Sequence, residues 1–356
     1  MTSPSSSGAD PELPVRTPES TEVVQTRLPP GFRLREFSLL AALAALCALA
    51  VWAGLRAADG GAALGGAKNP SEGADLAAAP AAPAANPWPP GIMAIVFLDI
   101  GQGDAAFIHT PAGRNYLIDA GPGATEHQSY DAGAQTIVPF LRTVGVERLD
   151  GVVLTHPHMD HLGGFLSVFK ALEVAAVFEP GIKMTTRTYE EFLRLVEAEG
   201  SDYRLVRGGD VLDWGPELSI TALAPPAQVL KGTGADENNN SVVLLLRYGT
   251  IRVLFPGDTE LEGEQGLLVY GDQLRAHILK APHHGSNTSS SRVFISLVTP
   301  QVAVISCGKN NKFGHPAATT LASYERARAT VYRTDTQGSI TVLTDGKTYK
   351  VIPERS

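Results

Sequence analysis

The sequence predicts an α/β protein, one folded domain carried behind a long N-terminal extension of different texture. Three observations predict it. From Ile92 onward about 265 residues alternate short strand-like runs with helix-like segments, enough chain to bury a sizeable core. Near-continuous apolar strands such as 242–248 stand beside amphipathic segments, a pattern that suits sheets covered by helices. Finally, 36 Gly and 25 Pro at 44% apolar content fit a loop-rich fold with polar or flexible extensions.

Taken in order, residues 1–36 open with Ser, Pro, Thr and acids and few large apolar side chains. Such a segment buries too little surface to offset its ordering entropy, so it reads as a disordered tail. Residues 37–55 (FSLLAALAALCALAVWAGL) carry no charge between Glu36 and Arg56. As a helix this run is about 28 Å long, close to the roughly 30 Å hydrocarbon core of a bilayer. Arg27, Arg33 and Arg35 precede it, against Arg56 and the more distant Lys68 after it. The positive-inside bias makes the tail cytoplasmic and sets the rest on the outer side of the membrane. A cleaved signal peptide is the rival, but its leader would be unusually long and no clean small-x-small site follows. Residues 56–91 are mostly Ala, Gly and Pro, a flexible linker partly stiffened by proline.

Within 92–356, strands are expected at 94–99, 105–109, 115–119, 174–178, 203–206, 218–223, 242–248, 250–255, 275–280, 301–305, 331–334 and 338–344, with one more opening the motif at 151–164. Helices are expected at 131–143, 162–172, 186–199, 260–269 and 317–328. The net charge of -8 supplies no basic field for gripping nucleic acid. A phosphate-bearing substrate would be drawn in by bound cations or by local Lys and Arg. Cys47 and Cys307 are the two cysteines, and no disulfide framework is indicated.

The chemistry gathers at strand ends. Residues 151–164 (GVVLTHPHMDHLGG) crowd His156, His158, Asp160 and His161 into six positions behind a short apolar strand. On extended backbone His156 and His158 point one way and Pro157 the other, while Asp160 and His161 sit where the chain turns toward a helix. That layout suits two neighbouring metal ions. Asp258, in VLFPGDT, follows a buried strand and a Pro-Gly turn. It is either a helix cap or the acid that bridges two cations with its two oxygens. His283 and His284, in LKAPHHGSNTSSS, follow another strand. One ring can complete a metal shell while its neighbour contacts or protonates a substrate. Asp119, in NYLIDAGPG, is either a turn acid or a carboxylate that orients a ligand histidine. Ser286, Asn287 and Thr288 read as phosphate donors or as a polar capping run.

LTHPHMDHLGG, VLFPGDT and LKAPHHGS resemble the metal-binding motifs of the metallo-β-lactamase superfamily. More narrowly, LDIGQGDA, NNNSVVLLL, APHHGS, FGHP and RTDTQGSI resemble the hydrolase domain of the ComEC/Rec2 competence proteins, over about residues 93–350. The resemblance implies an αββα sandwich with the metals at one sheet edge. It assigns His156 and His158 to one ion and Asp160, His161 and one of the 283/284 pair to the other. Of that pair His284 is taken as the ligand. Asp258 then bridges, and Asp119 and Asn240 support the ligands from behind. Asp104 and His315 fall in motifs that line the site. With Asp160 and His283 they form the candidate catalytic set.

Two departures matter. No histidine occurs between His161 and His277, and Asn238 to Ser241 stand where a third histidine for the first ion would be expected. That speaks against lactam or thioester hydrolysis, and it admits Mn²⁺ as well as Zn²⁺. Full competence proteins carry many membrane helices, whereas this sequence has one candidate. The expectation is a dinuclear phosphodiesterase or nuclease acting on DNA outside the cytoplasmic membrane, with the DNA-uptake machinery as a possible partner. A cell-envelope phosphodiester of the phosphorylcholine type is the alternative substrate. A tethered, non-catalytic binding module is the alternative role.

Overall fold

The computed structural model describes residues 86–356 apart from His127. The expected tail, the candidate membrane span 37–55, Cys47 and the linker up to residue 85 lie outside the described residues. Among the described residues no helix is long and apolar enough to cross a membrane.

Two mixed sheets form the body. The first contains β1 (Met93–Phe97), β2 (Ala106–His109), β3 (Asn115–Ile118), β5 (Gly151–Val153), β7 (Ala176–Glu179), β8 (Asp202–Leu205), β16 (Ile340–Thr344) and β17 (Tyr349–Pro353), in the order β17-β16-β1-β2-β3-β5-β7-β8. A small side ladder pairs β4 (Arg148–Leu149) with β6 (Glu173–Val174). The second sheet contains β9 (Val211–Leu212), β10 (Leu218–Ala224), β11 (Val243–Tyr248), β12 (Ile251–Phe255), β13 (Ile278–Lys280), β14 (Val302–Ile305) and β15 (Thr330–Arg333), in the order β15-β14-β13-β12-β11-β10-β9.

Alternation along β1 explains the layering. Met93, Ile95 and Phe97 point into the seam between the sheets, where they join Val153, Leu244, Val253 and Phe255. Phe97 and Phe255 stack across that seam at 5.8 Å, and burying each ring stabilises the fold by roughly 1.5–3 kcal/mol. Ala94, Val96 and Leu98 point the other way, onto a cluster with Phe165, Val168 and Phe192 from the helices Phe165–Ala171 and Arg187–Glu199. The outer face of the second sheet is covered likewise by Phe294, Ile295 and Tyr324. The order is helix, sheet, sheet, helix.

Each sheet changes from antiparallel to parallel pairing at one strand, β3 in the first and β12 in the second. The loops leaving β3, β5, β12, β13 and β14 therefore open on one edge, at the carboxyl ends of parallel strands. Sites in open α/β sheets form at such edges.

The elements depart from expectation in a few places. The helix expected at 131–143 opens as a π-helical turn, Gly133–Ile137, before Val138–Thr143. The backbone is crowded there, since a Cβ on Gly133 would lie 2.0 Å from the Gly164 carbonyl oxygen. The Gly163-Gly164 pair exists for the same reason, as Gly163 abuts Gly123 and Gly164 abuts Ala120. Strand β17 and the helix Arg292–Val298 were not expected. Ser291 caps that helix by accepting from the Phe294 amide.

Glu264, on the helix Leu261–Leu267, holds this same turn by accepting from the Ser290 and Ser291 amides, the latter at 2.9 Å. Burial lifts its carboxyl from an ordinary 4.5 to about 7, against the lowering effect of those hydrogen bonds. The folded state therefore keeps an extra proton between the two values, and stability falls as pH rises through that window, by about 3 kcal/mol in all. Urea unfolding at pH 5 and pH 8 should show this fall, and Glu264→Gln should flatten it.

Candidate metal centre

Asp119 is the pivot on the first sheet. It leaves β3 with a left-handed φ of 57°, which turns its carboxylate back across β5. One oxygen accepts from the Thr155 amide at 2.8 Å. The other accepts from the Thr155 hydroxyl at 2.7 Å and from His161 Nδ1 at 2.8 Å. His156 Nδ1 lies 3.1 Å from the Thr155 hydroxyl, whose own proton is committed to Asp119, so the ring donates. Both histidines are thereby fixed with Nε2 facing outward.

The second sheet supplies the matching half. Asp258 does not cap the helix Leu261–Leu267, whose N-cap position is held by Glu260 without a side-chain cap hydrogen bond. Its amide instead donates to Ser241 Oγ at 3.2 Å, and its carboxylate enters the site. Asp258 Oδ2 lies 3.1 Å from His161 Nε2, 3.2 Å from His284 Nε2 and 4.0 Å from His156 Nε2. His156 Nε2 is 3.1 Å from His158 Nδ1, and His284 Nε2 is 3.3 Å from Asp160 Oδ2. The six expected ligands converge on one place.

The histidine pair divides as two consecutive left-handed residues dictate, with φ of 47° at His283 and 53° at His284. Two bulky residues in this region store strain of order 1–3 kcal/mol each, a cost met at functional sites. His284 turns inward, is 1% exposed, and has Nδ1 3.1 Å from the Ser306 carbonyl oxygen, to which it donates. His283 stays at the opening, with Nδ1 3.0 Å from Glu260 Oε1. Glu260 is in turn held by the Asn238 side-chain amide at 2.9 Å. His284 therefore points into the cluster, and His283 is oriented with Nε2 toward the site, 3.9 Å from Asp258.

Charge fits a cation here. Burial alone would lower His161 and His284, yet the Asp258 carboxylate, with Asp119 beside His161 and Asp104 beside His284, holds both well above the usual imidazole range. Burial would raise Asp160 and Asp258, yet the neighbouring imidazoles hold both below the carboxylate range. His156 goes the other way, pushed well down by burial and by His161. A potential that retains two positive charges in a desolvated pocket favours divalent cations. Asp258 Oδ1 and His284 Nε2 are also buried without a hydrogen-bond partner among the described residues, as ligand atoms would be. The residues fit a divalent metal centre.

Asp104 stands at the site, on its buried side. It is buried beneath the ligands, 2.5 Å from Lys280 Nζ, with its oxygens toward the Nδ1 atoms of His284 (3.2 Å) and His161 (4.0 Å). Asp104, His161, Asp258 and His284 do offer ligand atoms within 4.8 Å of one another. Even so, Asp104 meets the back of the rings, beside a small cavity lined by Phe97, Lys280 and Phe255. One expectation is corrected: Asn240 does not support a ligand. Its amide is taken by the backbone of Leu230 and Asp236. The neighbouring Ser241 has the expected place, with Oγ 3.5 Å from His156 Nδ1. His315 does reach the opening, its ring 5.6 Å from that of His283, and burial with the charge of His284 pushes it down to about 4. Thr155, Ser241, Glu260, Lys280 and Ser306 were not singled out from sequence.

A family model described as the metallo-beta-lactamase superfamily matches residues 98–309. ComE operon protein 3 of Bacillus subtilis (strain 168) is 34% identical over 252 residues, 68% of this chain and 32% of that protein. Competence protein ComA of Neisseria gonorrhoeae is 33% identical over 262 residues, 71% and 32% of the two chains. The chain thus spans about a third of the length of these relatives. Among solved structures, Zn²⁺-bound PqqB from Methylobacterium extorquens is 15% identical, covers 67% of this chain and 87% of its own, and has a TM-score of 0.44. That likeness is too distant to bear on the chemistry. The matched span holds both halves of the ligand set, and the chain belongs to the metallo-beta-lactamase superfamily, with a domain of the ComEC/Rec2 competence-protein kind.

Proposed function

We propose that the protein is a dinuclear metal-dependent phosphodiesterase, with a nucleic acid strand as substrate, acting on the outer side of the cytoplasmic membrane. The observation that carries this reading is the ligand set itself. Four imidazoles share two carboxylates, and the 238–241 run, where a third histidine was expected, supplies only Ser241, which lies behind His156 at Nδ1. The competence relatives point the same way for substrate and setting. The candidate span 37–55 and its flanking arginines support the membrane side.

Two divalent ions held here would supply Lewis-acid polarisation of a phosphoryl oxygen and a water of lowered pKa. The protein does the rest. Asp119 and Thr155 fix the tautomers of His161 and His156. Asp258 ties the two halves of the site together and offsets their positive charge. Asp160 and His158 face the open side, where substrate enters, and Asp160 is 35% exposed. His283, aimed by Glu260, is placed to pass a proton to the departing oxygen.

The test is a substrate panel on the full chain loaded with Mn²⁺ or Zn²⁺. It should contain single- and double-stranded DNA, an activated phosphodiester, a phosphorylcholine ester and a chromogenic β-lactam. Metal-dependent cleavage of DNA and the activated diester, with the lactam untouched, is expected. Cleavage of the phosphorylcholine ester but not of DNA would move the substrate to the cell envelope. Cleavage of no phosphodiester would end the reading.

A further inference from the structure

Beside the opening, the loop between β14 and the helix Ala318–Arg326 presents an aromatic ring to solvent. Phe313 is 56% exposed. It stacks on His315 at 5.7 Å with the planes 26° apart, and His315 in turn lies 5.6 Å from His283. Two ring steps thus lead from the histidine at the site to an open aromatic face. Lys312 Nζ lies 5.3 Å from the Phe313 ring centre, and Lys309 is exposed on the same loop. In a chain of net charge -8, two lysines and an exposed ring at this opening make a local exception.

The loop is held in shape. The Asn311 side chain accepts from the Phe313 and His315 amides at 3.1 and 2.9 Å, and donates to the carbonyls of Gly308 and His315. Gln102 accepts from the Gly308 amide at 3.1 Å, fastening the loop to the segment that carries Asp104. A Cβ on Gly308 would lie 2.8 Å from the Gln102 nitrogen, so this approach depends on glycine. An exposed aromatic held by its own loop is pre-organised for stacking, and little entropy is lost when a flat ligand lands on it.

We infer that Phe313 is a stacking platform for a nucleobase next to the phosphate at the metal centre, with Lys309 and Lys312 contacting the flanking backbone. The platform sets a preference for single strands, whose bases are free to stack, over a phosphodiester that carries no base. This inference rests on the phosphodiesterase reading and names the substrate class of that site. Base stacking on an aromatic tolerates any sequence, and its loss weakens binding by about tenfold per base.

The test compares binding of a fluorescent phosphorothioate oligothymidine with that of an abasic phosphorothioate strand of equal length, by anisotropy, on the Mn²⁺-loaded full chain, the modified linkages resisting cleavage. The parent should prefer the strand with bases by about tenfold. Phe313→Ala should bring that ratio near one, and Phe313→Trp should restore it. Lys309→Ala combined with Lys312→Ala should weaken both strands alike and flatten the salt dependence by about one unit of log–log slope. A parent that binds both strands equally, or a ratio unmoved in Phe313→Ala, overturns the platform. Hydrolysis of the activated phosphodiester by the Mn²⁺-loaded parent separates the two failures. If it persists, only the platform falls. If it is absent as well, the phosphodiesterase reading falls with it.

Discussion

Asp258→Ala is expected to lower hydrolysis of an activated phosphodiester by at least about 10³-fold, and to reduce the metal retained after gel filtration. Partners that only orient a ligand typically contribute 10- to 100-fold. Asp258 does more, because it belongs to both halves of the site. Its Oδ2 is within 3.2 Å of His161 and His284 and within 4.0 Å of His156. Removing it takes away one ligand from each proposed ion and the negative charge that lets four imidazoles share a buried space. Asp258→Asn separates these roles, since it keeps the shape and one oxygen but not the charge. A loss in Asn as deep as in Ala would assign the effect to charge. Full activity and metal content in either variant would remove Asp258 from the centre. Metal analysis and circular dichroism on the same samples distinguish a lost ion from a lost fold.

Asp258 was legible from sequence because a buried strand ending in a Pro-Gly turn leaves few directions for the next side chain. The same logic made His156, His158, Asp160 and His161 legible. What the sequence could not carry was direction within a turn. His283 and His284 are chemically alike, and only two successive left-handed residues send one ring inward and the other to the opening. Asn240 and Ser241 differ by one position at the entrance to β11, where a shift of one residue exchanges the faces. The Ser306 carbonyl that holds His284 is backbone, silent in any reading of side chains. The layering was legible because β1 and its neighbours alternate so cleanly. Strand β17 was not, because five residues ending in proline carry little period. Lys280 was hidden by its surroundings, the last residue of an apolar strand that turns a charged side chain inward.

Lys280→Met is therefore expected to have the largest effect on stability, a loss of about 3–5 kcal/mol in urea unfolding at neutral pH. Lys280 is 3% exposed, with Nζ 2.5 Å from Asp104 Oδ2 and donating to the Ala281 carbonyl at 2.8 Å. Methionine fills nearly the same volume, so packing changes little and the deficit reports the carboxylate left behind. Burial pushes the Asp104 carboxyl upward, but the Lys280 charge, with His284, more than offsets it and holds the group low. A depressed carboxylate contributes stability above its unfolded value of 3.8, which is lost as pH falls through the folded one. Without Lys280 that balance reverses. Asp104 takes up a proton more readily, and the deficit of Lys280→Met should narrow between pH 8 and pH 5. The double variant Asp104→Asn with Lys280→Met tests the pair directly, since removing both charges should recover stability to within about 1 kcal/mol of the parent. A deficit that ignores pH and survives in the double variant would mean that Lys280 acts through its packing alone. Recovery in the double variant, joined to weaker metal binding than in the parent, would show that the pair also steadies His284 from behind.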